Sequence, residues 1–131
     1  LNLRLPSLGK TVELVNDIQS GIKINANGSL LAWAVENIIR NGIDAIDRKD
    51  GRVTVTVRKM NEDIKIRIID NGIGIPKKDW KNIFRPGFST KNAGWGLGLS
   101  LSNRIIEEIH GGKLQVVSSS KELGTTIEIS L

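Results

Sequence analysis

Along this chain, apolar residues alternate with polar ones in some stretches and recur at helical spacing in others. Residues 11–16 alternate enough to predict a strand, and 21–26 read as a second short one. From 30 to 47, a turn of about 100° per residue gathers Leu31, Val35, Ile38, Ile39, Gly42, Ala45 and Ile46 into one arc. That predicts an amphipathic helix, with Asn27 as its N-cap. In 52–59, Val53, Val55 and Val57 alternate with Thr54, Thr56 and Arg58, and 64–69 alternates again around Lys65 and Arg67. The turn between them, 61–63, makes the pair an antiparallel hairpin. Residues 77–84 predict a short amphipathic helix carrying Trp80, Ile83 and Phe84. Residues 97–110 predict a second long helix, with Leu101, Ile105 and Ile109 inward. Two strands follow, 113–119 and 125–131, joined by a turn. Residues 1–10, with Pro6 and Gly9, lack periodicity and read as a residual linker from an upstream segment; 11–131 read as one domain.

Three features stand out against this frame. Asn37, Asn41 and Asp44 lie at i, i+4 and i+7, along the border of the long helix's apolar arc. Two amides and a carboxylate in a row supply oxygen ligands for a hard cation or for a ligand's polar groups; they also fit plain exposed polarity. The second feature is Asp70-Asn71-Gly72-Ile73-Gly74-Ile75-Pro76, where a carboxylate ends a strand and glycines follow. This composition makes a turn by itself. It would equally set the Asp70 carboxylate at a pocket mouth to accept from an amino group, with the glycines letting a flat ring approach the backbone. The third is Gly94-Trp95-Gly96-Leu97-Gly98-Leu99-Ser100, which leads into a helix. Glycines and free helix N–H groups make a phosphate cradle, or a flexible loop and nothing more. The irregular stretch 85–94 before it, with Lys91 inside, is a lid candidate.

Composition narrows the chemistry. At 131 residues the chain suits one domain. It has no cysteine, which excludes disulfides and thiolate metal sites, and one histidine, which excludes a histidine-built metal centre. His110 precedes Gly111 at a helix end, so it reads as a structural cap in which a cation meets the helix terminus. The net charge of +5 is scattered without a block of like charge; it suits an anionic ligand and does not single out nucleic acid. No apolar run approaches the roughly 20 residues of a membrane span.

Four blocks occur in order: Asn37-x-x-x-Asn41, Asp70-x-Gly72-x-Gly74, Phe84 to Lys91, and Gly94-x-Gly96-x-Gly98. This arrangement resembles the ATP-binding catalytic domain of sensor histidine kinases, within the superfamily that includes DNA gyrase, heat-shock chaperone ATPases and mismatch-repair ATPases. The blocks correspond to its N, G1, F and G2 boxes. The resemblance implies a two-layer α+β sandwich of the Bergerat type, with a mixed, mostly antiparallel sheet packed on three helices. It implies ATP and Mg²⁺ as cofactors, with Asn41 on the metal and Asn37 beside the phosphates. Asp70 would bind the adenine amino group, with Gly72, Gly74 and Ile75 around the ring and Thr125 reaching it through water. Gly94, Gly96, Leu97, Gly98 and Leu99 would give backbone amides to the phosphates. Ser89, Thr90 and Lys91 would belong to the lid, with Lys91 near the γ-phosphate.

The implied activity is that of a protein-histidine kinase whose phosphoacceptor histidine lies elsewhere. The expected partners are a histidine-bearing dimerisation domain of the same parent and, downstream, a response regulator receiver domain. Nucleic acid and membrane contact are not expected, and the expected location is cytoplasmic even where a parent is membrane-anchored. Two departures matter. Asp44-Ala45 resembles the gyrase and mismatch-repair branches, where kinases often carry a basic residue, and a water-held polar contact is the expectation for Asp44. Asn37 stands where the ATPase branches place a glutamate base, which argues against efficient hydrolysis. The alternatives are an ATP-driven clamp, a nucleotide-gated interaction module without transfer chemistry, and a serine/threonine kinase acting on anti-sigma-factor antagonists.

Overall fold

The computed structural model describes residues 2–7, 10–88 and 96–131, with side chains from 12 to 88 and from 99 to 131. Strands β1 (Asn2–Ser7) and β2 (Lys10–Ile18) lead into helix α1 (Gly28–Asp44). The hairpin of β3 (Gly51–Met60) and β4 (Asp63–Asp70) follows. Two 3₁₀ turns (Lys77–Asp79 and Asn82–Phe84) precede helix α2 (Gly96–Arg104), which continues as a π-helical turn (Ile105–Ile109). Strands β5 (Lys113–Ser120) and β6 (Gly124–Ser130) close the chain.

The strands form one sheet in the order β1-β2-β3-β4-β6-β5. Strands β2 and β3 run parallel because α1 carries the chain back between them; the other pairings are antiparallel. The result is the expected mixed, mostly antiparallel α+β sandwich. Its core lies between the helices and one sheet face, where Val53, Val55, Ile66, Ile68, Ile127 and Ile129 are buried. The opposite face carries side-chain ion pairs: Arg52 with Glu13 at 2.9 Å, Arg58 with Asp17 at 2.8 Å, and Arg67 with Glu128 at 2.7 Å.

Several elements depart from the pattern reading. Residues 2–7 form strand β1, in a stretch where no strand was read. Pro6 argued against one, but β1 is at the sheet edge, where a missing N–H can go unpaired. Residues 21–26 form no strand and serve as the irregular connection into α1. The predicted helix at 77–84 is two 3₁₀ turns. The segment is too short for α-helical cooperativity, and Trp80 Nε1–H donates to Ile75 O at 2.9 Å, holding the chain at its start.

Helix α1 begins as predicted, with Asn27 accepting from the Leu30 N–H at 3.1 Å. It ends at Asp44 rather than 47, because the Ala45 carbonyl is taken by the Ile73 N–H at 3.0 Å. Its buried stripe is Ala34, Ile38, Gly42 and Ile43, while Leu31, Val35 and Ile39 are only half-buried. The stripe is turned because α1 packs against α2 as well as the sheet, and Ser102 Oγ–H donates to Ala34 O at 3.3 Å where the helices meet.

On α2 and its continuation, Ile105 and Ile106 are buried, but Leu101 is 42% and Ile109 56% exposed, against the prediction. Leu99, Ser102 and Ile106, at i, i+3 and i+7, meet the core instead, and the π turn begins beyond Leu101, at Ile105. His110 is structural, as expected, but not as a cation. Its Nε2 accepts from the Asn27 N–H at 2.9 Å, so the bridging ring is neutral and Nδ1–H donates to Ile105 O at 2.8 Å.

Candidate functional site

Asp70 ends β4 and is 5% exposed. Its Oδ1 accepts from the Gly72 N–H at 2.8 Å, an Asx-type turn that starts the glycine loop. Glycines let the backbone pack closely around it. A Cβ at Gly42, on α1, would lie 3.3 Å from Asp70 Cβ and 3.4 Å from Oδ2. One at Gly72 would lie 2.9 Å from Oδ1 and 2.5 Å from Ala45 O. One at Gly124 would collide with Asp70 O, and Gly124 also has φ +86°. The carboxylate thus lies under the C-terminal half of α1, on the residue next to Asn41.

The loop itself is fixed from three sides. Asn71 accepts from the Arg52 N–H at 2.7 Å and donates to Asp50 O at 2.9 Å, tying the loop to the turn before β3. The Ile73 N–H goes to α1, as above. The Ile75 N–H donates to Ser119 Oγ at 2.7 Å, and Ser119 Oγ lies 2.7 Å from Thr125 Oγ1. Thr125 faces Asp70 in the β4/β6 register and Ser119 in the β5/β6 register. Asp70, Thr125 and Ser119 therefore form a polar row across three adjacent strands, with Thr125 3% exposed. Gly74 has φ +82°, and a Cβ there would lie 2.6 Å from Ser120 O, so the loop's own contact with β5 requires this glycine.

Of the residues singled out from sequence, Asp70, Gly72, Gly74, Ile75 and Thr125 come together here. Asn41 precedes Gly42 on α1 and Asp44 ends that helix, while Asn37 lies one turn earlier, its Nδ2 donating to Trp33 O at 2.8 Å. Helices α1 and α2 run antiparallel, since His110 meets Asn27 while Ser102 meets Ala34. The first turn of α2, with Gly96, Leu97 and Gly98, therefore comes alongside residues 37–41, and the N–H groups of a first turn lack intrahelical partners. Leu99, in the same helix, is buried in the core. Ser89, Thr90, Lys91, Gly94 and Trp95 lie outside the described residues. Ser119, Asn71 and Gly124 were not read as site residues. A bulge between Val116 and Ser118 hid Ser119, because strict alternation from Leu114 and Val116 points Ser118 inward.

A buried carboxylate beside glycine backbone fits an amino group, and a helix start beside an amide row fits phosphate. The family model described as histidine kinase-, DNA gyrase B-, and HSP90-like ATPase matches residues 26–131. The chain belongs to this family. Among relatives, it is 34% identical over 108 residues to nitrogen regulation protein NtrY of Azorhizobium caulinodans, covering 78% of this chain and 14% of NtrY. It is 37% identical over 111 residues to sporulation kinase C of Bacillus subtilis, covering 85% of this chain and 25% of that kinase. This member of the ATPase family thus spans only a minor part of those relatives.

Its fold is that of the catalytic domain of histidine kinase ThkA, solved free of nucleotide. The TM-score is 0.80 at 26% identity, over 92% of this chain and 78% of that one. A complex of ThkA with response regulator protein TrrA shares the fold at TM-score 0.73 and 24% identity, over 91% of this chain and 34% of that one. Among the described residues of this ATP-binding domain, no helix is long and apolar enough to cross a membrane.

Proposed function

We propose that residues 11–131 bind Mg-ATP and present its γ-phosphate to a histidine on a separate helical-hairpin domain, as the catalytic part of a two-component sensor histidine kinase. The observation that carries this reading is Asp70, buried at the strand end, braced by the Gly72 N–H and surrounded by glycines. A carboxylate so held accepts from the exocyclic amine of adenine, while Gly72, Gly74 and Ile75 form the backbone wall beside the ring. Thr125 contributes a hydroxyl on the same edge.

Asn41 is the proposed metal ligand. Among the described residues no three His, Cys, Asp or Glu side chains converge, so the cation here would take most of its oxygens from the phosphates and water. Mg²⁺ held there would supply charge neutralisation for the transferring phosphoryl group. Asn37 lies on the phosphate side, with Asp44 making a water-held contact. Gly94, Gly96, Leu97, Gly98 and Leu99 supply the cradle, and Ser89, Thr90 and Lys91 the lid.

Phosphoryl transfer asks the protein for positioning and charge stabilisation rather than covalent chemistry. Asn37 has no proton-accepting carboxylate, which favours transfer over the hydrolysis expected of an ATP-driven clamp. His110 has both ring nitrogens engaged, which favours an acceptor outside this chain. A response regulator receiver domain is the proposed downstream partner, and the cytoplasm the proposed location.

The test is incubation with γ-labelled ATP and separately supplied acceptor domains bearing histidine or serine. Mg-dependent, acid-labile label on the histidine acceptor is expected, with little phosphate release without acceptor, and Asn41→Ala should abolish the Mg dependence. Fast turnover without an acceptor, label on serine, or stable label on His110 would contradict the proposal.

A further inference from the structure

The polar row contains one residue that neither the four sequence blocks nor the family match assigns. We infer that Ser119 is a positioning residue that sets base specificity, by directing the Thr125 hydroxyl proton toward the ligand. The inference rests on the adenine reading of Asp70 and goes beyond it.

Ser119 reaches the row because of the bulge in β5. The register runs Val116 to Ile127, then Ser118 to Thr126 and Ser119 to Thr125. The extra residue, Val117, reverses the alternation, so Ser118 is exposed while Ser119 faces Thr125. Bulges that re-aim one side chain beside a site are a recurring device.

The proton inventory favours one direction. Ser119 Oγ accepts from the Ile75 N–H, which cannot reverse its role. That bond polarises the Ser119 hydroxyl and makes it the better donor of the pair. Either hydroxyl can donate across the 2.7 Å contact, and the proposed arrangement has Ser119 O–H donating to Thr125 Oγ1. Thr125, its acceptor site occupied, turns its own proton away from Ser119, toward the Asp70 side of the row. The base edge then meets a carboxylate acceptor at Asp70 and, directly, a hydroxyl donor at Thr125. Adenine offers the complement, an amine donor beside a ring-nitrogen acceptor. Guanine offers a carbonyl beside a ring N–H, and both contacts fail. Without Ser119 the Thr125 hydroxyl turns freely and accepts either base.

The experiment is calorimetric titration of the chain with ATP and GTP, in wild type, Ser119→Ala, Ser119→Thr, Thr125→Val and the double variant Ser119→Ala/Thr125→Val. Amide exchange at Ile75 is followed by NMR. Ser119→Ala should narrow the ATP-to-GTP affinity ratio about tenfold, the worth of one hydrogen bond. Ser119→Thr should restore it, and Ser119→Ala should narrow it no further in the Thr125→Val background. Ile75 exchange should quicken in Ser119→Ala.

If Ile75 exchange quickens while the ratio stays put, Ser119 only pins the loop and the inference is overturned. An equal narrowing in the Thr125→Val background also overturns it, because Thr125 is then not the route. A wild-type chain without preference for ATP over GTP defeats the adenine reading itself. Should Ser119→Ala not fold, Ser119→Cys, with a weak donor in the same place, must show the same narrowing.

Discussion

Asp70 and Glu128 are both 5% exposed, and they lie on adjacent strands of one sheet, yet they are built differently. Glu128 points to the outer face. There Arg67 Nε–H donates to it at 2.7 Å and Lys65 Nζ lies 3.7 Å away. Burial alone would raise its carboxyl, but the hydrogen bond and charge of Arg67, with Lys65 and Gln115, outweigh burial and hold it below the ordinary value. Asp70 points to the helix face. Its Oδ1 accepts from the Gly72 N–H, and three glycines pack closely against the residue. One carboxylate is packed among long cationic side chains; the other is packed closely against glycine backbone. Equal burial therefore conceals two settings, an ion-paired one at Glu128 and, at Asp70, the one in which we propose ligand recognition.

The comparison can be broken first at the glycines. Gly124→Ala puts a Cβ onto Asp70 O at a positive φ, and should destabilise the chain by about 2–4 kcal/mol. Thermal unfolding without nucleotide measures this, and an unchanged midpoint would mean that the glycines around Asp70 are incidental.

A smaller effect is expected at the other carboxylate. Glu128→Gln should cost about 1–2 kcal/mol at neutral pH, because Arg67 is partly solvated and recovers some hydration, and should leave ATP affinity unchanged. The sign with pH follows from the lowered value. The contribution of Glu128 is complete above the ordinary carboxylate pKa of about 4.3 and fades as pH falls through its folded-state value. Urea unfolding across acidic pH should thus show wild type and variant converging. Parallel curves would contradict the assignment.

Much of this architecture was legible because alternation and helical spacing report burial on one face, as in β3, β4 and α1. Pattern fails where a neighbour or a local irregularity decides. The C-terminus of α1 was misplaced because a loop some 30 residues later takes its last carbonyl, a contact no local window contains. Leu101 and Ile109 were placed inward by a stripe drawn through Ile105, whereas the core face runs through Leu99, Ser102 and Ile106. Asp70, Gly72 and Gly74 could be read because the carboxylate and both glycines fall within five residues. Ser119 could not, since a bulge is invisible to period-two counting.

The central claim is that Asp70 reads an exocyclic amine, and one substitution tests it with almost no change of shape. Asp70→Asn keeps an oxygen for the Gly72 N–H but replaces the other acceptor with a donor. Titration with ATP and GTP should show ATP affinity falling about 10- to 100-fold, the worth of a charge-assisted hydrogen bond, and the preference over GTP disappearing. Unaltered ATP affinity with the preference intact would contradict the account.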